Sequence, residues 1–243
     1  MSSKLTGQHD PLVRKLTGLG NLTDDDIGAL RSLPIRERHL RAGTLIVIED
    51  QLISECCLLL SGYACRHKVA KDGSRQIVSF HVAGDILDIQ HLFLEQADHN
   101  VQTVTDADVA FIPMNALRAV VESNPSMAVA LWRDCLVDAS IFREWVLNVG
   151  RRSAAERIAH MLCEFAMRCE SAGLGAASEL TVPMTQDYIA DATGLTAVHV
   201  NRVLRHLREQ GLIEGAGRAF KIADWEGMRR FADFRPGYLH LAA

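Results

Sequence analysis

Between Ile189 and Leu207 apolar residues recur every three or four positions, with one break around Gly194. Ile189, Ala190, Leu195, Val200, Val203, Leu204 and Leu207 form a continuous apolar face across that break, which predicts two short helices packed together. Ala190 is small where the two must approach closely, and Gly194 can take the positive φ that turns the chain between them. Thr196 is placed to cap the second helix. The other faces of that helix carry Val198, His199, Asn201, Arg202 and Arg205, side chains suited to base edges and phosphates. Downstream, LIE and AFKI flank the glycines of EGAGR, predicting a short hairpin that bears Arg218 and Lys221. Turn, polar helix face and hairpin in this order predict a winged helix-turn-helix over residues 185–222. The candidate DNA-contacting set is Thr185, Thr196, Val198, His199, Asn201, Arg202, Arg205 and Arg218. The competing reading is an ordinary helix pair with a β-ribbon.

Upstream the periodicity changes twice. Residues 1–34 predict a helical preface, with Asp24-Asp25-Asp26 supplying the cap and first turn of a helix that runs to about Leu33. From Ile35 to Pro113, short apolar runs alternate with glycine turns. LIVIED (45–50), CCLLLSG (56–62), YACRHKV (63–69), QIVSFHV (76–82) and DVAFIP (108–113) read as strands of a small β-barrel or double-sheet roll. Asn124-Pro125 then opens a long helix that Gly150 is expected to end, about 25 residues or roughly 37 Å at 1.5 Å per residue. Leu131, Cys135, Asp138, Phe142, Trp145 and Val149 lie along one seam of it, expected to pair with a second copy. A second stripe of Trp132, Leu136, Ala139 and Val146 lies beside the first, so the helix has two packing partners. Asp138 stands out as a lone charge in the seam, and for that reason as a candidate switch. Ser153-Ala-Ala-Glu156 is a capping-box signature for a further helix over 154–170. The chain thus divides into a helix and roll (1–123), a dimerisation helix (124–150) and a DNA-binding region (151–243). The fold class is α+β.

Charge refines this picture. The formal net charge of −4 is unevenly distributed: residues 1–142 hold thirteen Lys/Arg against eighteen Asp/Glu, residues 143–243 thirteen against twelve. The acidic excess lies away from the proposed DNA-binding region, where positive charge is local to Arg202, Arg205, Arg208, Arg218 and Lys221. Six cysteines contain no C-x-x-C pair, so no metal site or disulfide framework is expected. They read as reduced, mostly buried thiols, with Cys65 the least core-like. The N-terminus lacks a signal-peptide core and no apolar window spans a membrane, so a soluble, cytoplasmic protein is expected.

Roll, long helix and winged helix-turn-helix in this order resemble the Crp/Fnr family of bacterial transcription regulators, over roughly residues 35–224. The stretches that carry the resemblance are SGYACRHKVAKDGSRQIVSFHVAGDI (61–86), NVGRRSAAERIAHML (148–162) and MTQDYIADATGLTAVHVNRVLRHLREQGLI (184–213). The resemblance implies a roll like a cyclic-nucleotide-binding domain. It further implies a homodimer that binds an inverted repeat in double-stranded DNA through residues 196–209 and contacts RNA polymerase.

The departures narrow the effector. Cyclic-nucleotide-binding relatives pair an arginine with the ligand's phosphate, but Glu95-Gln96-Ala97-Asp98-His99-Asn100 contains none, so cyclic AMP is rejected. No cysteine precedes Cys56, which argues against the N-terminal iron–sulfur cluster of oxygen-sensing relatives. His91 and His99 flank a position where a haem sensor would need ligands, but read as solvated surface residues. No cofactor is expected. Control by abundance, by thiol oxidation or by an unrecognised small molecule stays open. Val198 occupies the place where many relatives read cytosine with glutamate, Arg202 matches the guanine-reading arginine, and Asn201 is suited to adenine. The chain has no G-x-S-x-G, P-loop, G-x-G-x-x-G or H-E-x-x-H motif, so an enzyme is not expected. A signalling module acting through a protein partner is the alternative to a DNA-binding regulator.

Overall fold

The computed structural model describes residues 3–4, 11–215 and 220–241. Two compact units are present. The first takes in the chain up to His67 and Phe80–Ala139, and the second Lys68–Ser79 with Ser140–His240.

In chain order the first elements are β1 (Ser3–Lys4), α1 (Pro11–Leu19), α2 (Asp24–Ser32), β2 (Pro34–Leu40), β3 (Leu45–Val47), β4 (Glu55–Ser61), β5 (Ala64–Val69) and β6 (Arg75–His81). They are followed by β7 (Asn100–Thr103), β8 (Ala107–Pro113), α3 (Met114–Ser123) and α4 (Pro125–Arg151). The strands form two four-stranded sheets in the orders β1-β2-β8-β4 and β3-β7-β5-β6. The roll expected from the glycine-punctuated runs is therefore present. β4 explains why its sequence reads as an unbroken apolar run rather than an alternation. Side chains leave a strand on alternate faces. Cys57 and Leu59 pack into the cluster formed with Val47, Val101 and Val109. Cys56 and Leu58 pack into a second cluster with Leu12, Leu16, Leu30, Leu117, Met127 and Leu131 from α1 to α4. Full burial of each such leucine stabilises the fold by roughly 1.5–3 kcal/mol. At the β4–β5 turn Gly62 has φ +79°, and a Cβ there would collide with the Asp106 carbonyl and Ala107.

Several elements differ from the sequence reading. β2 gave no strand signal because only Ile35 of its seven residues is buried, and Arg36, Glu37 and Arg38 face solvent. β7 and α3 are likewise additional to the elements expected from the sequence. Thr23, rather than the aspartate triplet, caps α2: its hydroxyl accepts from the Asp26 amide at 3.2 Å while the Asp26 carboxylate accepts from the Thr23 amide at 2.8 Å. Asn124 turns its side chain back to donate to the Val120 carbonyl at 2.7 Å, closing α3. Gly150 lies inside α4, which runs one residue further.

The one charge that reads as isolated in the sequence is paired. Asp138 accepts from Arg66 Nη1 at 2.8 Å, so it is no lone charge. Lys15 bridges Asp85 and Asp134, both at 2.8 Å. Burial opposes the Lys15 charge, but the two carboxylates prevail and hold its pKa above the usual lysine range. His91 and His99 are buried, not solvated. The Gln90 amide lies 3.4 Å from His91 Nε2 and 3.3 Å from His99 Nε2, while the two Nδ1 atoms meet the Leu94 carbonyl and the Asp98 carboxylate.

The second unit holds the tip of the β5–β6 hairpin, the end of α4, and α5 (Ala154–Ser171), α6 (Gln186–Thr193), α7 (Ala197–Glu209), β9 (Ile213–Glu214), β10 (Lys221–Ile222) and α8 (Trp225–Phe231). The Ser153–Glu156 capping box that starts α5 is formed as read.

Candidate nucleic-acid interface

α6 and α7 are short, so neither would persist alone; burial of their shared apolar face holds them. Ile189, Ala190, Val200, Val203, Leu204 and Leu207 are all buried. Between the helices Gly194 adopts φ +65° and its amide donates to the Ala190 carbonyl, as does the Leu195 amide at 3.1 Å. This left-handed cap ends α6 and lets Thr196 begin α7, where its hydroxyl accepts from the His199 amide at 3.2 Å. Thr185 caps α6 in the same way, accepting from the Tyr188 amide at 3.4 Å.

With one face of α7 anchored, the rest is presented outward. Val198 is 73% exposed, and Asn201, Arg202 and Arg205 are exposed as well, while His199 is half-buried. Asn201 donates from Nδ2 to Gln186 Oε1 on α6 at 3.3 Å. Gln186 was not among the residues singled out from the sequence, where nothing distinguishes it from any other first-turn glutamine. Arg208 is spent differently from its neighbours: its Nε donates to the Gly215 carbonyl at 2.9 Å, bracing the hairpin that follows. That hairpin pairs Ile213 with Ile222 and Glu214 with Lys221. A third segment joins it, because Thr181 bridges Lys221 and the Val182 amide donates to the Phe220 carbonyl at 2.9 Å. Arg218, read as a wing contact, lies outside the described residues.

Residues 156–231 match the Crp-like helix-turn-helix domain, and residues 37–124 the cyclic nucleotide-binding domain. The nitrogen fixation regulation protein FixK of Azorhizobium caulinodans is 30% identical over 183 residues, which cover 75% of this chain and 73% of that protein. The chain belongs to the Crp/Fnr family. A probable transcriptional activator of Rhizobium leguminosarum bv. viciae is 28% identical over 193 residues, covering 76% of this chain and 79% of that one. The structure of FixK2 from Bradyrhizobium japonicum superposes with a TM-score of 0.73 at 25% identity, over 81% of this chain and 96% of that chain. The protein is a Crp/Fnr-type transcription regulator with a DNA-binding helix-turn-helix, not an enzyme.

In this Crp/Fnr regulator the apolar seam proposed for dimerisation does not face outward throughout. Leu131 is buried in the first unit's core, and Trp145 is buried in the second, where its Nε1 donates to Glu164 at 2.7 Å. Cys135, Asp138 and Val149 are half-buried, and Phe142 alone of the six is exposed. The exposed apolar stripe of α4 is the neighbouring one: Trp132 is 64%, Leu136 51% and Val146 61% exposed, with Ala139 exposed between them. The reason is rotational. Both stripes satisfy the three-and-four spacing, and the spacing alone does not say which one the chain's own core will claim.

The cysteines are mostly buried, as their sequence reads, and Cys65, read as the least core-like, is fully buried too. Burial pushes the thiols of Cys56, Cys57 and Cys135 upward and that of Cys163 to about 12, withholding the thiolate that oxidation requires. In the roll, Asp88 is buried and accepts from the Cys57 amide at 2.9 Å. Burial raises its carboxyl to about 7, against the opposing pull of that amide, the Cys56 thiol and Arg66. Among the described residues no group of three His, Cys, Asp or Glu side chains is disposed to hold a metal ion, and no helix is long and apolar enough to cross a membrane.

Proposed function

We propose that this regulator acts as a homodimer that lays the α7 helices of its two copies into successive major grooves of an inverted-repeat operator and contacts RNA polymerase there. The observation that carries the reading is α7 itself, with Val200, Val203, Leu204 and Leu207 buried and Val198, Asn201, Arg202 and Arg205 turned outward. Thr185, Thr196 and His199 flank this face, and Arg218 completes the set read from the sequence. A helix so held presents a fixed pattern of donors to base edges. Dimerisation is assigned to the Trp132, Leu136, Ala139 and Val146 stripe, which leaves a row of large apolar side chains in solvent unless a second copy covers it. In domain terms, residues 1–123 form a sensor-like roll, 124–150 the dimer helix and 151–243 the DNA-binding part.

Cyclic AMP is not the effector in this reading, because the segment 95–100 offers no arginine to the phosphate and Arg66 is engaged by Asp138 and by the Leu87 carbonyl at 3.1 Å. The enclosed thiols favour control by abundance or by an uncharged small molecule over control by thiol oxidation. Selection of bound sequences from a random duplex DNA pool, with reduced protein and no added ligand, tests the proposal. Enrichment of an inverted repeat with half-sites about one helical turn apart, roughly 34 Å, is the expected result. Enrichment of an unpaired half-site overturns it, whereas enrichment of no sequence by folded, dimeric protein assigns control to a small molecule that the unliganded form lacks.

A further inference from the structure

We propose that Gln186 and Asn201 act together as an adenine reader, with Gln186 as the positioning residue that orients the Asn201 amide. This rests on the placement of α7 in the major groove. Gln186 is the first residue of α6 and is half-buried, whereas Asn201 stands exposed on α7, next to Arg202. Their link is the Asn201 Nδ2 to Gln186 Oε1 hydrogen bond of 3.3 Å, which crosses from one helix of the motif to the other.

The consequence follows from counting donors. An isolated surface asparagine turns its amide freely, so it offers a base either its oxygen or its nitrogen. Gln186 Oε1 accepts one of the two Nδ2 hydrogens, which favours this orientation of Asn201 while the Gln186 oxygen faces it. What remains toward the groove is the Oδ1 acceptor beside one N–H donor. Adenine displays the complement, an N6 donor beside the N7 acceptor. Guanine displays two acceptors, and one of them would oppose Oδ1. The pair thereby biases a side chain of ambiguous polarity toward one donor–acceptor order. Arg202, one residue on, presents donors only and suits guanine. The half-site is expected to carry a guanine under Arg202 and an adenine next to it, without the cytosine that a glutamate at position 198 would read.

The experiment is competition binding to a set of operator duplexes that vary only at the Asn201 base pair or only at the Arg202 base pair, using dimeric full-length protein. Wild type is expected to prefer adenine at the first position by roughly 10-fold. Gln186→Ala is expected to reduce that preference to about 2-fold while leaving the guanine preference at the Arg202 pair unchanged. Gln186→Glu keeps the acceptor and is expected to keep the adenine preference, with weaker binding to every duplex because it adds negative charge near phosphates. Asn201→Ala removes the preference. A wild-type protein indifferent at this base pair, or Gln186→Ala with full adenine preference, overturns the pairing. Loss of guanine preference in Gln186→Ala overturns it too, because the effect would then be a general loosening of α7. If Arg202→Ala binds the operator undiminished, the placement of α7 itself fails, a result separable from the others.

Discussion

Arg66 of β5 and Asp138 of α4 form an ion pair with an Nη1–Oδ2 distance of 2.8 Å, and the guanidinium side chain is only 16% exposed. A charge that looked isolated along the helix is held by a strand more than seventy positions away in sequence. Removing one partner strands the other, whereas removing both does not. Asp138→Leu is therefore expected to lower unfolding free energy by about 1–3 kcal/mol, and Arg66→Met combined with it to restore part of the loss. Denaturant melts of the two single variants and the double variant check this, and additive losses would disprove the coupling.

Asp88 makes the stability of the roll depend on pH in a defined direction. Its carboxyl is raised from 3.8 to about 7 in the folded protein, so between those values the fold retains a proton that the unfolded chain releases. Its stabilising contribution is present below about pH 4, declines as pH rises, and is lost above about 7. Asp88→Asn removes that slope. The stability difference, wild type minus variant, is expected to fall by on the order of 3–4 kcal/mol between pH 4 and pH 8. Parallel unfolding curves across this range would show that the carboxyl titrates normally.

On α4 the two stripes separate by experiment. Trp132→Asp with Leu136→Glu is expected to yield folded monomers in sedimentation equilibrium, with operator affinity lost. Trp145→Phe is expected to leave assembly intact but cost about 1–3 kcal/mol of stability, because buried Glu164 loses the Trp145 donor and keeps only the Tyr238 hydroxyl at 2.6 Å in its place. The reverse outcome would return the dimer contact to the Trp145 side.

Arg202→Ala is expected to cost about 1–3 kcal/mol of specific binding and to relax selectivity at one base pair. Arg205→Ala, if that residue meets a phosphate, weakens binding to all sequences and lowers the salt dependence by about one unit. Binding isotherms at several salt concentrations distinguish the two.

The recognition motif was legible because its determinants are local: Gly194, Thr196 and the Val200-to-Leu207 spacing act within about twenty residues. The roll was legible where strands are buried on at least one full face, as in β4, and invisible in β2, whose single buried residue leaves no alternation. What the sequence concealed is chiefly pairing across long separations. The Asp138 partner, the burial of His91 and His99, the choice between the two α4 stripes and the Gln186–Asn201 link all depend on which segments the fold brings together.

The Thr181–Lys221 bridge and the hydrogen bond from the Val182 amide to the Phe220 carbonyl tie the chain just before α6 to the second strand of the wing. The DNA-reading portion is in effect a stitched loop, opening and closing on the same ribbon. A change in that ribbon therefore reaches the start and the end of the motif together.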